Sequence, residues 1–225
     1  MAAIILCLIV SCDDNRDFFP TKKGKKINYK ISFLDKENNL KEYRQSFIFL
    51  SKDKNLFPML GNDGRVIFFE KNKNGLVIDK TKNIFESFIT TDLKDVSSPE
   101  KKYLLKFPLK KNNTWENTEK TQLMMKIGYD RVFHTFLPFK MRNEIVDIDD
   151  TLNVDGKKIK NCIKVIGIGQ TSYNPGPPLG NINIEIRVES WFAPNLGLIK
   201  YTREEKADSE TMGKIFFDKV MELED

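Results

Sequence analysis

Apolar and polar residues alternate along much of this chain, the two-residue period that turns one face of a β-strand toward a core. Ile27 to Phe33 alternates without a break, and Tyr43 to Leu50 repeats the pattern with Phe47 and Phe49 on one face. Asn62-Asp63-Gly64 precedes a strand over 65–70, and Asn74-Gly75 precedes another over 76–78. Both turns hold residues that accept the positive φ of a tight hairpin. Further strands are expected over 103–107, 121–133, 141–148, 159–167, 181–192 and 198–204, with Asp155-Gly156 as another turn. Two segments break the period. Ile84, Phe85, Phe88 and Ile89 fall at helical spacing and predict one short helix over the sheet. The tail is ambiguous: Ile215, Phe217, Met221 and Leu223 suit a strand, whereas Met212, Ile215, Phe216 and Val220 suit a helix. The strand is the preferred reading. The expected fold is mainly β (a β-rich α+β class): a curved antiparallel sheet or open half-barrel with one or two short helices.

One internal echo stands out. Phe19-Pro20-Thr21-Lys22-Lys23-Gly24 and Phe107-Pro108-Leu109-Lys110-Lys111-Asn112 match at a constant offset, which also aligns Ile27 with Trp115. Each copy offers a Pro-fixed extended segment and a polar turn leading into a strand. Two similar halves would explain it, and so would coincidence in a Lys-rich chain.

The N-terminus has a different character. Ala2 to Val10 is uniformly apolar but far short of the ~20 residues a spanning helix needs. It suits the ~7–15-residue apolar core of a secretory signal. Met1-Ala2-Ala3 carries no Lys or Arg, which leaves either a start further upstream or a merely apolar N-terminus. Ile9-Val10-Ser11-Cys12 resembles the lipobox of bacterial lipoprotein precursors, and Asp13-Asp14-Asn15-Arg16-Asp17 then switches abruptly to a polar stretch. The resemblance implies cleavage before Cys12 and acylation of that residue. The expected organisation is a signal peptide over 1–11, a lipidated polar tether over 12–24, and a single β-rich domain over 25–225. The implied address is the bacterial cell envelope, facing the periplasm. Asp13 resembles an inner-membrane retention signal of enteric-type bacteria, a rule other lineages do not share, so inner or outer membrane stays open.

Composition narrows the classes. With 40% hydrophobic residues and 17 Phe the chain can bury a sizeable core. Its 37 cations against 32 anions give only +5, spread rather than striped, which argues against a nucleic-acid partner. Lys22-Lys23-Gly24-Lys25-Lys26 is a local cluster that could touch anionic headgroups beside an anchor, or be a solvated approach to a strand. With Cys7 in the signal and Cys12 acylated, Cys162 is the remaining thiol, so an internal disulfide is excluded. Its alternating surroundings make it a small buried hydrophobe.

Several motifs together resemble those of uncharacterised bacterial lipoproteins: the two Phe-Pro segments, Ile159-Lys160-Asn161-Cys162-Ile163-Lys164-Val165, and Trp191-Phe192-Ala193-Pro194-Asn195-Leu196-Gly197-Leu198-Ile199-Lys200. The resemblance covers about a fifth of the chain. It implies a relationship in fold to the outer-membrane lipoprotein carrier and receptor group (LolA/LolB-like), a curved antiparallel sheet wrapped over a helix. It transfers no binding residues.

Catalytic signals are weak. Asp147-Ile148-Asp149-Asp150-Thr151 matches the D-x-D-x-T of haloacid-dehalogenase phosphotransferases, but that chemistry needs the end of a parallel strand in an alternating α/β fold. Asp147, Asp149, Asn153 and Asp155 lack the register and distal Glu of a calcium-binding EF-hand loop. His134 is the one histidine, which excludes multi-histidine metal centres, and no G-x-S-x-G elbow accompanies it. Gly167-Ile168-Gly169 is followed by no Gly-Lys-Ser/Thr and is not a phosphate loop. No cofactor is implied.

Residues 169–180 join two well-patterned strands through a connection longer than the ~2–5 residues of a usual hairpin. Pro175, Pro177 and Pro178 would stiffen it and Tyr173 could serve as an exposed aromatic anchor, or the stretch is a tolerated insertion. The functional expectation is a membrane-anchored periplasmic lipoprotein acting as a non-enzymatic envelope binding or assembly component. Its partners would be the membrane, through the N-terminal lipid, and an envelope protein. The alternative is a carrier or sensor of an apolar ligand or lipid in a curved-sheet cleft. An enzyme of unrecognised type ranks below both.

Overall fold

Alternation becomes pairing in the computed structural model, which describes residues 17–20, 22–35, 37–83, 101–121, 124–127, 131–134, 137–174, 176, 180–209 and 213–223. The strands are β1 (Lys26–Leu34), β2 (Leu40–Phe49), β3 (Leu56–Gly61), β4 (Arg65–Asn72), β5 (Gly75–Asn83), β6 (Lys102–Lys106) and β7 (Thr114–Lys120). Then follow β8 (Met124–Ile127), β9 (Arg131–His134), β10 (Pro138–Val154), β11 (Lys157–Tyr173), β12 (Ile182–Ala193), β13 (Gly197–Ala207) and β14 (Lys214–Glu222). Twelve of them form one antiparallel sheet in the order β6-β5-β4-β3-β2-β1-β14-β13-β12-β11-β10-β7, and β8-β9 is a separate hairpin. The class is mainly β, as the alternation implies. The tail is a strand, and the helix expected over 84–89 lies outside the described residues. Among the described residues there is no helix, so the sheet-over-helix layout that the resemblance implies is not seen in them.

The strand order makes the sheet a nearly closed barrel. Each strand lies beside its neighbour in the chain, except that β14 returns between β13 and β1, and β7 and β6 are left at the two edges. Those edges face one another without a backbone ladder. Instead the Asn117 side chain takes both polar groups of Tyr103: Tyr103 N–H donates to Oδ1 at 3.0 Å and Nδ2 donates to the Tyr103 carbonyl at 2.8 Å. Trp115 Nε1 also donates to that carbonyl at 3.1 Å. One amide side chain thus does the work of a peptide group on a missing strand.

Two buried clusters fill the described interior. One gathers residues from nearly every strand, together with Phe18 and Phe19, which lie ahead of β1. Phe19 sits against Phe49, Phe57 and Phe69 with ring centroids 5.1, 5.3 and 4.8 Å away, each pair contributing about 0.5–1.5 kcal/mol beyond burial. Within the tether expected over 12–24, Phe18 and Phe19 are buried in the core. The second cluster, around Phe139, Met141, Ile184 and Ile186, lies between the long C-terminal strands. Gly167 and Gly169 explain how those strands come so close. A Cβ on Gly169 would stand 2.4 Å from the Phe139 ring, and one on Gly167 would stand 2.7 Å from Met141 Sδ.

The Phe-Pro echo corresponds to matched geometry. Gly24 and Asn112 both have positive φ, 78° and 66°. Gly24 N–H donates to Phe49 O at 2.8 Å, and Asn112 N–H donates to Ile145 O at 2.8 Å. Phe49 N–H returns a bond to Lys25 O, and Ile145 N–H returns one to Asn113 O, both at 3.0 Å. The two copies use the same turn to lead into β1 and β7.

Candidate functional site

Tyr173 is not at a loop tip. It is the last residue of β11, opposite Ile182 on β12, half-buried against the second core cluster. The strand pattern continues to that point because Thr171 and Tyr173 keep the inward parity of Val165, so the connection begins only at Asn174. Tyr173, expected within the connection, is thus a half-buried strand-end residue. Asn174 Oδ1 accepts the Gly176 N–H at 2.9 Å, and Gly180 N–H donates to Gly176 O at 3.2 Å. Pro175, Pro177 and Pro178 lie outside the described residues, as does Cys12.

What the connection adjoins is more informative. The outer face of β10, β11, β12 and β13 holds an open groove of about 970 Å³. Its floor includes Ile166 and Ile168, and Ile168 is 58% exposed. Lys140, Arg142, Glu185 and Arg187 stand along it. A second hollow of about 850 Å³, lined in part by Thr171, Ser172, Asn183 and Asp208, lies toward the 174–181 connection and shares Gln170, Glu185 and Lys206 with the first. Alternation builds this face: with Gly167 and Gly169 turned inward, Ile166 and Ile168 must point out. The spacing Ile166-Gly167-Ile168-Gly169 carried that signal. Periodicity alone assigns the larger residues to the core, and only the glycine contacts reverse the assignment.

Three of the groove's polar side chains, Arg187, Lys140 and Glu204, are held by partners beside it. Arg187 reaches Glu189 at 2.8 Å, Lys164 reaches Glu189 at 3.1 Å, and Lys140 donates to Thr118 Oγ1 at 2.9 Å. Burial alone would raise the Glu189 pKa, but the hydrogen bonds from Arg187 and Lys164 outweigh it and hold the carboxyl below its ordinary value. Lys214 is paired with Glu204 at 2.9 Å. Mixed charges over an exposed aliphatic floor suit a protein surface better than a single small ion.

Inside the barrel, charge is buried and paired. Arg203 Nε donates to Glu205 Oε1 at 2.7 Å, and its Nη2 donates to Lys120 O at 2.7 Å. Its Nη1 lies 3.7 Å from Glu119, which is in turn ion-paired with Lys102 on β6. Burial opposes the charge on Arg203, but Tyr201 and Glu205 beside it raise its pKa overall. This chain of charges ties β13 through β7 to β6. Near the β1–β14 seam, Lys219 Nζ lies 4.2 Å from the Tyr29 ring centroid and 4.7 Å from that of Phe47, and donates to Gln45 Oε1 at 3.1 Å. Burial brings its pKa down to about 8, with Arg65 adding to the effect and Asp63 opposing it. Tyr29 Oη donates to Leu198 O at 2.8 Å, and burial raises the phenol pKa.

The remaining candidates are spoken for. Asp147 Oδ1 accepts the Asp149 N–H at 3.1 Å, which leads the lowering of its pKa. Asp150 accepts from Thr151 N–H at 2.7 Å and from Trp191 Nε1 at 2.9 Å. These acids lie in the bulged part of antiparallel β10, far from the parallel α/β setting that phosphotransfer needs. Among the described residues no cluster of three or more His, Cys, Asp or Glu could hold a metal ion. Cys162 is wholly buried, and burial raises its thiol pKa. His134 pairs with Met124 in the β8–β9 hairpin.

No protein-family model and no curated protein matches the chain. Two crystal structures resemble it weakly. One, from Bacteroides fragilis, is of a protein described as exported with a YmcC-like fold, at 12% identity and a TM-score of 0.38. The other, from Parabacteroides distasonis, is of a protein described as a lipoprotein, at 12% identity and a TM-score of 0.37. Each alignment covers 92% of this chain and 97% of the other.

Proposed function

We propose that this chain is an envelope lipoprotein, acylated at Cys12, that binds a protein partner through the outer groove of β10–β13 without catalysing a reaction. One observation carries the choice of face: Ile168 is exposed on the floor of a groove of about 970 Å³, whereas the described barrel interior is filled by two side-chain clusters. Filled space supports binding outside the barrel over carriage of an apolar ligand within it. Arg187 and Glu204 in the groove already have charged partners, so a contact over the aliphatic floor would desolvate them at lower cost than free charges.

A photo-crosslinking residue at Ile168, in intact cells, is expected to yield a discrete protein adduct that the same probe at Leu40 does not. Leu40 is 60% exposed on β2, so it controls for exposure alone. Recovery of only phospholipid at Ile168, or the same adducts at both positions, would refute the groove. The anchor is tested separately. Palmitate labelling should mark the wild-type chain and be lost in Cys12→Ala; a labelled Cys12→Ala chain would overturn it.

A further inference from the structure

The topology sorts the described connections between strands into a mainly basic end and a mainly acidic one. At the end where Asp17 meets the barrel, the turn before β1 presents Lys22 and Lys23, and the β2–β3 loop presents Lys52 and Lys54. The β4–β5 turn adds Lys73, and the β6–β7 loop adds Lys110 and Lys111. All seven are exposed, and with exposed Asp53 in the β2–β3 loop and Asp155 in the β10–β11 turn at the same end, lysines still outnumber acids there. Their loops are stitched together: Phe107 N–H donates to Asn74 O at 2.9 Å, and Lys25 Nζ donates to Asn195 O at 3.4 Å. The described connections at the other end carry Asp35, Glu37, Asp63 and Asp208, with Lys101 ahead of β6 held by Glu70 and Asp79. A net +5 therefore conceals a dipolar molecule, which sequence order alone does not reveal because the lysines are scattered over some ninety residues.

The N-terminal segment is fixed at the basic end. Asn195 N–H donates to Asp17 O at 2.6 Å, Lys71 pairs with Asp17 at 3.5 Å, and Phe18 and Phe19 are buried. From Asp17 back to Cys12 is five residues, at most about 18 Å of extended chain. A lipid on Cys12 would hold this end, and no other, within reach of the bilayer.

We propose that the basic end is a docking surface for anionic phospholipid headgroups, which stands the barrel with its basic loops on the membrane and its acidic turns away from it. The hollow over Thr171, Ser172 and Asn183 then faces outward, toward a partner. The orientation deepens the anchor reading, but the surface itself needs no acyl chain. Each lysine close to an anionic bilayer contributes about fivefold to partition, and the effect fades beyond a Debye length of about 8 Å at physiological salt.

The test uses residues 12–225 with Cys12→Ser, a chain that keeps every described contact, sedimented with phosphatidylcholine vesicles with or without phosphatidylglycerol. Binding is expected only with phosphatidylglycerol, and to weaken as salt rises. Changing Lys22, Lys23, Lys110 and Lys111 to Gln should weaken it about a hundredfold or more. The same loss of charge on the barrel wall, at Lys30, Lys41, Lys120 and Lys214, should weaken it far less. Equal binding to neutral vesicles, or equal loss from both sets, overturns the proposal. Palmitate labelling answers the anchor question independently, so an unlabelled chain that still binds anionic vesicles would sink the anchor and leave the surface standing.

Discussion

The barrel has two places where its halves meet, and they are closed by different means. At the β1–β14 seam the backbones pair in register from Asn28–Glu222 to Leu34–Phe216. At the β6–β7 seam there is no ladder; Asn117, Trp115 and the Lys102–Glu119 pair reach across instead. The local geometry makes the comparison a fair one, since β1 and β7 begin with the same turn and Ile27 aligns with Trp115, Tyr29 with Asn117. A ladder spreads closure over many backbone groups, none of them decisive. Side-chain closure concentrates it in a few residues, above all Asn117, whose removal leaves the Tyr103 N–H without its acceptor.

The largest expected effect follows from that concentration. Asn117→Leu should destabilise the protein by about 2–3 kcal/mol, because Tyr103 N–H loses its acceptor in a site where Asn117 is 6% exposed. Tyr29→Phe at the aligned position should cost only about 1 kcal/mol, one hydrogen bond to Leu198 O, while the ladder beside it stays intact. Urea unfolding of both variants measures the difference. Equal losses would mean that the β6–β7 seam is no more dependent on its side chains than its counterpart.

Proton linkage separates the seams next. Lys219, beside the ladder, has a folded pKa of about 8 against an ordinary value of 10.5. Between those values the unfolded chain binds more protons, so stability should rise with pH from about 8. Tyr29 works in the opposite sense. Its phenol pKa is raised in the fold, so above the ordinary tyrosine value of 10.0 the folded chain holds the extra proton and stability falls. The expected profile climbs by roughly 2 kcal/mol between about pH 8 and 10 and then turns over. Lys219→Met should flatten the climb, whereas Asn117→Leu should lower the whole curve without changing its shape. A climb that persists in Lys219→Met would assign the titration elsewhere.

The same contrast explains what the sequence made legible. β1, β2 and β10 to β13 announce themselves because one face is apolar and the other polar. β3 and β7 do not. Pro58 interrupts the donors of β3, a residue that normally argues against a strand within a sheet, and only its carbonyl is used, by Leu50 N–H at 3.0 Å. On β7 the inward positions after Trp115 are Asn117 and Glu119, which read as exposed until the partners on β6 and β13 are known. The 121–133 stretch, expected as one strand, contains β8 and the start of β9. The groove was hidden for a related reason. Its aliphatic floor exists because glycines occupy the inward positions, and hydrophobicity favours the opposite facing. Residue pattern reports burial well where side chains bury themselves, and poorly where a partner strand or a missing Cβ decides.

The smallest effect tests the equivalence on which the comparison rests. Gly24 and Asn112 hold the same left-handed backbone, yet glycine there lowers the stability of the turn through the entropy of the unfolded chain, and asparagine adopts positive φ at modest strain. A Cβ at Gly24 would meet nothing within 4 Å, so no clash complicates the exchange. Gly24→Asn is therefore expected to be within about 0.5 kcal/mol of the parent, and Asn112→Gly likewise, while alanine at either position should cost about 1 kcal/mol from backbone strain alone. Urea unfolding of the four variants reads this directly. If the alanine penalties at the two positions match, the turns are interchangeable, and the difference between the seams belongs to the residues that follow. If Asn112→Ala costs much more than Gly24→Ala, the Asn112 side chain contributes to closing the β6–β7 seam, and that seam begins one turn earlier than Trp115.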